Sequence, residues 1–484
     1  MESAGAKNKI HLTEESAELI RAAGHKDIWT VPRKEQVEAK GKGKMQTYWL
    51  AYTSQGGKSE SSAGTQQHRD SILSMVSDVD DTSTTEFLED STQKKLDRSI
   101  DWGVDILQRL LKRVVAMRGG IQPSMDAVSK QQELPSLAGS GAPLEEVKDI
   151  IELPSQERVY PVNPSDIALP PQVFIQLRDF VKTIASMYQH NPFHSFEHAM
   201  HVTQSVTKLL TRVVAPDVFS ESDQTKLHQY TYGITSDPMA QFAVAFSALI
   251  HDVDHPGVSN ATLVKEQAST AVLYKNKSVA EQNSVDVAWE LLAEPYYAEL
   301  RACIFTNDSE YHRFRQLVVN TVMATDIVDK ELGAARKKRW EAAFAESVVN
   351  SSNGDSEAVL DANRKATIVI EHLIQASDVA HTMQHWHVYL KWNQRFFNEC
   401  YKGYLEGRAD KDPAEGWYKG ELGFFDFYII PLAKKLKECQ VFGVASEEYL
   451  LYAEANRREW EEKGAELVKD YVARYKLAHS RCSQ

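Results

Sequence analysis

Apolar residues recur at three- and four-residue spacing through most of the chain from about residue 159 to residue 477. This spacing places them on one face of a helix, so it predicts long amphipathic helices. Strand signals are nearly absent from the same stretch. We therefore expect an all-α, compact multi-helix domain over residues 158–478 with one continuous core. The periodic runs are 171–190, 197–213, 239–250, 279–300, 310–327, 334–350, 362–380, 385–406, 425–438 and 446–477.

The chain before this domain has a different pattern. Residues 1–55 combine a helical run at 14–23 with a β-rich end at 45–52, which predicts a small α+β fragment. Residues 56–95 are rich in Ser, Thr and acidic side chains. Such a segment buries too little apolar surface to offset its ordering entropy, so it is predicted to be a disordered linker. A phosphorylated regulatory tail is the alternative interpretation of the same composition.

Periodicity returns at residues 96–118, which predicts an amphipathic helix that ends at Gly119-Gly120. We expect this helix to dock on its own domain, and pairing with a second copy of the chain to form a homodimer is the alternative. Residues 119–157 are again rich in Pro, Gly and Ser. They are predicted to form a second linker.

Charge and apolar run length exclude two classes of partner. The formal charge is −13, from 55 basic and 68 acidic residues, so we expect no nucleic-acid partner. The longest strongly apolar run, Ala240–Ile250, is far shorter than the roughly 20 residues that a membrane span requires. No membrane span is therefore expected in this chain. The four cysteines form no C-x-x-C pair, which is typical of a reducing compartment, and we expect a cytoplasmic protein.

Metal-ligand residue types concentrate at two places in the helical domain. The string HNPFHSFEHAMHV places His190, His194 and His198 four residues apart, so they would line one face of a helix that begins near Pro192. The string HDVDHPG follows the apolar run and contains His251, Asp252 and His255.

Asp378 and Glu281 add carboxylates on further predicted helices. A single histidine on an apolar helix is more often a satisfied core residue than a ligand. However, buried His and Asp side chains need partners or a metal ion. Imidazoles and carboxylates together suit zinc or another divalent ion, so we predict a metal site.

These strings resemble a known family. The order H…HD…D is similar to that of metal-dependent HD phosphohydrolases, and HNPFH, ALIHDVDHPGVSN and ASDVAH resemble the catalytic domain of class I 3′,5′-cyclic nucleotide phosphodiesterases. The resemblance covers about residues 160–475. It implies that a first metal ion, zinc, is held by His194, His251, Asp252 and Asp378, and that Asp252 bridges to a second ion, magnesium or manganese. It also implies that His190 is the general acid. Positions that orient ligands and water are implied at His255, Glu281, Thr325 and Asp326.

The base-binding end of the chain departs from this family. In KGELGFFDF, Glu421 stands where the family has a purine-reading glutamine, and Phe424 stands at the stacking aromatic position. Phe396 matches the opposite side of the purine clamp, and His381 stands where an asparagine often lies near the base. An ionised glutamate has only acceptors and fits the adjacent N1–H and N2–H donors of guanine, which favours cyclic GMP. Two alternatives weaken this hypothesis: burial could raise the pKa of Glu421, or the side chain could pair with a Lys or Arg.

The first residues carry a second resemblance. MESAGAKNKIHLTEESAELI and VEAKGKGKMQTYWL resemble the last 50 or so residues of a class III nucleotide cyclase domain. The metal-binding and transition-state residues of that family precede the matching part, and only a late lysine, Lys40, finds a counterpart. We therefore expect no cyclase activity from this segment. If the chain belongs to a longer cyclase fusion, membrane attachment replaces the cytoplasmic prediction.

The resemblance implies hydrolysis of cyclic AMP or cyclic GMP to the 5′-monophosphate in cyclic-nucleotide signalling. An HD phosphohydrolase that acts on another phosphate ester is one alternative, and Phe396 and Phe424 argue against it because they suit a purine. A catalytically weak cyclic-nucleotide sensor is the other. The presence of every predicted ligand argues against a sensor, because a sensor needs none of them.

Overall fold

The computed structural model describes residues 10–14, 17–18, 30–33, 37–39, 43–50, 81–121, 139–154, 160–213, 224–344 and 355–480. The chain divides into two compact units, Met1–Phe87 and Leu88–Gln484. Helices dominate the larger unit, as the apolar periodicity predicts, and the all-α expectation for the second domain is confirmed.

Short antiparallel strands form the described part of the first unit. The strands β1 to β5 are Ile10–Thr13, Thr30–Pro32, Val37–Ala39, Gly43–Met45 and Thr47–Leu50. Strand β5 lies between β1 and β2, with Leu50 opposite both Ile10 and Thr30, and β3 pairs with β4. The β-rich end predicted at 45–52 thus forms the central strand of a small sheet. Most of the helix predicted at 14–23 lies outside the described residues.

The described helices are numbered α1 to α17 in chain order. Their bounds are Asp81–Met117, Ala142–Glu146, Pro171–Met187, Phe196–Arg212, Gln224–Tyr230, Pro238–Ile250, Asn260–Lys265, Ser269–Leu273, Val279–Ala293, Ala298–Ile304, Asp308–Met323, Lys330–Phe344, Asp355–Asp378, Trp386–Leu405, Pro413–Phe424, Ile430–Glu438 and Val444–Ser480. A π-helical turn, Phe425–Ile429, joins α15 to α16.

Helix α1 begins earlier than the sequence predicted. It starts at Asp81 instead of near residue 96, so residues 81–95 of the predicted disordered linker are helical. Extending an existing helix adds one hydrogen bond for each residue that is fixed. Residues 81–95 can therefore continue the helix, although their composition would not start one. The rest of the predicted linker, residues 56–80, lies outside the described part. At the other end, Gly119 and Gly120 adopt φ angles of +75° and +73° and end the helix as predicted.

The apolar face of α1 packs into the core of its own domain. Its Asp101 also pairs with Arg178 of α3, with 2.9 Å between Oδ1 and Nη2. This is the docked arrangement that we expected of the helix at 96–118. The α1 residues buried in the main core are Ile100, Val104, Ile106, Leu107, Leu110, Leu111, Val114, Val115 and Ala116.

Residues 139–154 are part of the helical domain, which corrects the prediction of a linker over 119–157. Val147, Ile151 and Leu153 are buried in the main core. The Ile151 N–H donates to Thr367 Oγ1 at 2.9 Å, and the Leu153 N–H donates to Asn363 Oδ1 at 3.0 Å. The surrounding Pro, Gly and Ser residues obscured these apolar positions in the sequence, and the domain therefore begins before residue 158.

Helix α6 carries the HDVDHPG motif into the middle of the domain. Asp237 caps it by accepting from the N–H groups of Met239 and Ala240 at 3.1 and 3.2 Å. Every residue from Pro238 to Ile250 is buried, and the helix packs between α4 and α11. His251, which follows directly, therefore lies in the interior. In the part of the chain that the structure describes, no helix has the length and apolar character needed to cross a membrane.

Candidate active site

The start of helix α4 decides which histidines can share a face. Ser195 is its N-cap, and the Ser195 Oγ accepts from the His198 N–H at 3.4 Å. His190 and His194 therefore precede the helix, and only His198 lies within it. The helix begins four residues after the predicted start near Pro192, which belongs to an irregular segment, so His194 does not share its face with His198.

His198, and not His194, is the histidine before HDVDHPG that lies beside the two predicted aspartate ligands. Its Nε2 lies 3.0 Å from Asp378 Oδ1 and 3.7 Å from Asp252 Oδ2. His251 Nε2 lies 3.1 Å from the same Asp252 oxygen and 3.5 Å from Asp378 Oδ1. These four side chains form the first cluster. Three of the predicted ligands, His251, Asp252 and Asp378, are thus brought together with His198, whereas His194 lies in a separate group.

The donor atoms of the first cluster fit a divalent metal ion. His251 Nδ1 lies 3.0 Å from the Ala248 carbonyl oxygen, to which it donates, so Nε2 is the ring nitrogen that faces the carboxylates. That Nε2 is buried and makes no hydrogen bond of good geometry with a described residue. Two imidazole nitrogens and two carboxylates make up the mixed set that zinc and similar ions prefer.

The charges in the first cluster support one another. Burial disfavours the ionised Asp378, but the nearby imidazoles of His198 and His251 outweigh it and hold the pKa of Asp378 below its usual value. Burial likewise opposes the charge of Asp252, and His251 holds the pKa of that carboxyl well below normal. Both aspartates are therefore ionised at neutral pH, as metal ligands must be.

His194 belongs to a second cluster, with His255 and Glu399. Its Nδ1 is hydrogen-bonded to Glu399 Oε1. The other oxygen of Glu399 accepts from the N–H groups of Phe193 and His194 at 2.8 and 3.0 Å. The rings of His194 and His255 are stacked with their centroids 3.8 Å apart. The second cluster adjoins the first, because 6.3 Å separate the ring centroids of His194 and His198.

The two stacked histidines have opposite pKa shifts. Burial disfavours the charged form of His194, but the Glu399 carboxylate outweighs it, with help from Asp252 and Asp378, and raises the pKa of His194 to about 9. Burial and the charge of His194 lower the pKa of His255 to about 3. At neutral pH, one ring carries an extra proton and the other is neutral. This separation is typical of a site with a dedicated proton donor.

His190, the predicted general acid, is not part of either cluster. It is exposed and lies in the irregular segment between α3 and α4. The next residue, Asn191, contacts the backbone of the second cluster. Its Nδ2 donates to the carbonyl oxygens of His194 and His255 at 3.2 and 2.7 Å. Gly257 permits this contact: its φ is +72°, and a Cβ there would lie 2.7 Å from Asn191 Oδ1.

Two of the residues predicted to orient ligands and water, Glu281 and Asp326, carry further carboxyl groups. Glu281 is half-buried and accepts from Asn260 Nδ2 at 2.9 Å. Burial, with the nearby charges of Asp326 and Asp252, raises the pKa of Glu281 to about 7. Asp326 is buried, and the preceding Thr325 donates from its Oγ1 to the Val322 carbonyl at 2.7 Å.

Aromatic residues form a wall beside both clusters. The ring centroid of Phe193 lies 4.5 Å from that of His198 and 5.0 Å from that of Phe396. His381 is buried against Phe193 at 5.7 Å, and burial holds the pKa of His381 well below normal. Phe396 is still 36% exposed, so part of its ring is free to contact a ligand.

Glu421 of α15 lies in a buried polar network with Tyr389 and Asn393 of α14. Tyr389 donates its hydroxyl proton to Glu421 Oε2 at 2.7 Å and accepts from Asn393 Nδ2 at 3.4 Å. Burial raises the pKa of Glu421 to about 7 although hydrogen bonds from Tyr389 and Asn393 oppose the shift. Trp417, one turn earlier on α15, contacts the Phe396 ring at 5.4 Å. Phe424 stacks on Tyr428 at 5.4 Å.

Comparison with known proteins agrees with this geometry. Residues 193–443, just over half of the chain, match the family model described as 3′5′-cyclic nucleotide phosphodiesterase. The chain belongs to this family. Residues 1–52 match the model of the adenylate and guanylate cyclase catalytic domain, in line with the second resemblance.

Curated members of the phosphodiesterase family with different substrate names are similar to the chain. A probable 3′,5′-cyclic-AMP phosphodiesterase of Caenorhabditis elegans is 28% identical over 51% of this chain and 34% of its own length. A cGMP-specific 3′,5′-cGMP phosphodiesterase of Dictyostelium discoideum is 24% identical over 46% of this chain and 41% of its own. The chain thus spans between a third and a half of these relatives. The solved phosphodiesterase domain of Salpingoeca rosetta rhodopsin phosphodiesterase is 22% identical, with a TM-score of 0.46 over 62% of this chain and 83% of that one.

Sequence reasoning missed three contributors to this candidate site, namely Glu399, Trp417 and the Tyr389 hydroxyl. Glu399 had a weak signal, because Phe396, Phe397, Cys400 and Tyr401 flank it, and a carboxylate among such residues needs a partner if it is buried. The partner itself, His194, lies 205 residues away in the chain. No local pattern indicates such a distant pair.

Proposed function

We propose that this chain hydrolyses 3′,5′-cyclic nucleotides to 5′-monophosphates with two divalent ions, zinc and magnesium or manganese. One observation carries the proposal: a cluster of metal-ligand side chains adjoins a histidine that Glu399 keeps protonated. The first cluster has the chemistry to hold a phosphate ester, and the second has the chemistry to release its leaving group. Similarity to relatives named for cyclic AMP and for cyclic GMP supports this substrate class.

The proposed holder of the zinc ion is the first cluster, His198, His251, Asp252 and Asp378. Divalent ions there would polarise the phosphoryl group and lower the pKa of a water molecule. Asp252 also lies in the electrostatic environment of Glu281, whose pKa it helps to raise. This acidic side of the cluster is the proposed place of the magnesium or manganese ion, with Glu281, Thr325, Asp326 and His255 orienting ligands and water.

The proposed proton donor is His194, in place of His190. Glu399 engages Nδ1, so the Nε2–H of the imidazolium remains available to a substrate oxygen. When the bond between phosphorus and the 3′ oxygen breaks, that oxygen takes the proton from Nε2, and Glu399 stabilises the charge of the ring until then. Proton donation of this kind contributes about 10²- to 10⁴-fold in rate.

The proposed purine site is the wall formed by Phe396 and Trp417, with Glu421 at its polar end and Phe424 as the second stacking residue. Partly exposed aromatic rings beside a phosphate site suit the faces of a purine. His381 is buried behind Phe193 and is proposed to support this wall from within. The Lys or Arg partner that could have neutralised Glu421 is not found among the described residues, whereas burial does raise its pKa.

A turnover assay on the purified chain tests the function. We expect hydrolysis of cyclic AMP, cyclic GMP or both, loss of activity after chelation, and recovery with zinc plus magnesium. His198→Ala should abolish activity, and His201→Ala, one turn along the same helix and outside the clusters, should retain most of it. No hydrolysis of either nucleotide by the metal-loaded chain would refute the proposal.

Two further predictions concern the setting of the enzyme. The first prediction is a homodimer. Light scattering of the purified chain tests it, because a monomer at micromolar concentration would contradict it. The second prediction is a cytoplasmic location, or membrane attachment if the chain belongs to a longer fusion. Cell fractionation with the chain in its native context tests the second.

A further inference from the structure

Glu421 differs from an ordinary active-site carboxylate in the side chains that surround it. It is only 9% exposed, and it accepts hydrogen bonds from the neutral donors Tyr389 and Asn393. No Lys or Arg in the described ranges forms an ion pair with it. The carboxyl is thus held in place by hydrogen bonds from neutral groups. No ion-pair partner among the described residues stabilises its ionised form, so the neutral form is accessible.

The two forms of a carboxyl group present different patterns to a purine. A carboxylate has only acceptors, which suit the N1–H and N2–H donors of guanine and place a lone pair against adenine N1. A neutral carboxyl has one donor and one acceptor. It can pair with the N6–H and N1 of adenine, or with the N1–H and O6 of guanine. The protonated carboxyl therefore matches both adenine and guanine, whereas the ionised carboxylate matches only guanine.

We propose that the proton on Glu421 selects the base: the neutral side chain accepts cyclic AMP and cyclic GMP, and the ionised side chain accepts cyclic GMP. This inference rests on the proposed function and on the proposed purine site. It replaces the simple expectation of cyclic GMP preference, because a buried carboxyl without an ion-pair partner is partly neutral near physiological pH.

The other titratable groups that face Glu421 do not ionise in the same range. Helix α14 contributes Tyr389 and Cys400, and α17 contributes Tyr471. Burial and the charge of Glu421 raise the pKa of both tyrosines above normal. Burial, with the charges of Glu399 and Glu421, raises the pKa of Cys400 to about 12. Of these groups, only Glu421 changes its charge near pH 7.

Competition between the two nucleotides in one reaction isolates this effect. Such a reaction measures the ratio of kcat/KM for cyclic AMP to that for cyclic GMP, and ionisations of the shared catalytic groups cancel. An unpaired polar atom in a buried site costs about 1–3 kcal/mol, which predicts that the ratio falls at least about fourfold between about pH 6 and pH 8.5. A constant or rising ratio would overturn the proposal.

Three variants define the source of any pH dependence. Glu421→Gln should give a constant ratio, because an amide can turn to serve either base and does not titrate. Tyr389→Phe should shift the fall to higher pH, since it removes a donor that stabilises the carboxylate. Asp426→Asn, which removes an exposed carboxylate paired with Arg457, should behave as the wild type.

The outcomes separate this inference from the proposed function. If both nucleotides are hydrolysed and the ratio of their kcat/KM values is independent of pH, the proposed function is supported, but the proton on Glu421 does not select the base. If Glu421→Gln retains the full pH dependence, another group is responsible and the proposal is wrong. If the glutamine variant does not fold, an unchanged midpoint in Tyr389→Phe contradicts the proposal in its place. If neither nucleotide is hydrolysed at any pH, the proposed function fails, and the inference fails with it.

Discussion

The two clusters of the site contain similar residues and differ in what holds their carboxylates. In the first cluster, the Asp252 and Asp378 carboxylates contact imidazole nitrogens. In the second, both oxygens of Glu399 are engaged by the Phe193 and His194 N–H groups and by His194 Nδ1. Carboxylate oxygens grouped with imidazole nitrogens suit a cation. A carboxylate with both oxygens hydrogen-bonded instead orients one histidine and favours its protonated form.

This difference shows that residue type alone does not assign a role. Histidine with a carboxylate is the proposed metal-ligand set in the first cluster and the proposed proton-donor pair in the second. The backbone N–H groups of Phe193 and His194 support this division, because both donate to Glu399 Oε2, an oxygen that a metal ion would otherwise use. Variants of each cluster should therefore fail in different ways.

The largest effect is expected from the first cluster. Asp378→Ala or Asp252→Ala should abolish turnover and lower bound metal, because each removes a ligand carboxylate. Metal content by mass spectrometry and hydrolysis of both nucleotides measure the two losses. Asp254→Asn is the matched control, since Asp254 contacts Gln189 and Asn283 outside the cluster and should retain metal. Full activity in either alanine variant would remove these aspartates from the site.

The second cluster should lose rate without losing metal. We expect His194→Ala to lower kcat by about 10²- to 10⁴-fold at unchanged metal content, because it removes the proton donor. His190→Ala should change kcat little, since that side chain is exposed and outside both clusters. A substrate with a better leaving group should lose less in His194→Ala. An equal loss on both substrates would contradict proton donation.

A smaller effect, visible in the pH dependence, is expected from Glu399→Gln. The Glu399 carboxylate raises the pKa of His194 to about 9, so His194 is protonated below that pH and loses its proton as pH rises through it. Bound metal ions oppose the positive charge on the ring, so activity should decline at or below pH 9. Without Glu399, burial lowers the pKa, and the alkaline decline should move to lower pH with about a tenfold loss of kcat near pH 8. Superimposable pH–rate profiles would exclude this role.

The smallest effect concerns the contact that joins the helices of the two clusters. Glu197 of α4 pairs with Lys391 and Arg395 of α14 and with Lys95 of α1. Burial disfavours its charge, but these cations outweigh burial and lower the pKa of Glu197 to about 2. Its contribution to stability is therefore present above about pH 4.5 and is lost as pH falls toward 2.

Glu197→Gln should lower the free energy of unfolding at pH 7 by about 1 kcal/mol or less, and less at high salt, because the pairs are partly exposed. Urea unfolding of wild type and variant at pH 7 and near pH 2 measures the difference, which should vanish at the lower pH. Asp101→Asn, which removes a single exposed pair with Arg178, is the control. A difference that persists near pH 2 would exclude the ion pairs as its source.

The all-α fold and much of the site followed from the sequence. Apolar periodicity predicted the helices of the second unit, because a helix that packs by one face must repeat its apolar residues every three or four positions. The apolar run before His251 predicted the buried position of HDVDHPG. Asp252 and Asp378 could be named as candidate ligands from the H…HD…D order that resembles HD phosphohydrolases, and a buried carboxylate needs a cation or a donor.

The roles of the histidines near α4 depended on tertiary structure. His190, His194 and His198 have equal spacing, and the sequence alone does not show that the helix begins at Phe196. Glu399 lies 205 residues from His194 in the sequence, and their contact raises the pKa of His194. His198 contacts Asp378 instead. Residue spacing determines which side chains share a helix face, but the charge of a histidine depends on the neighbours that folding brings to it from distant parts of the chain.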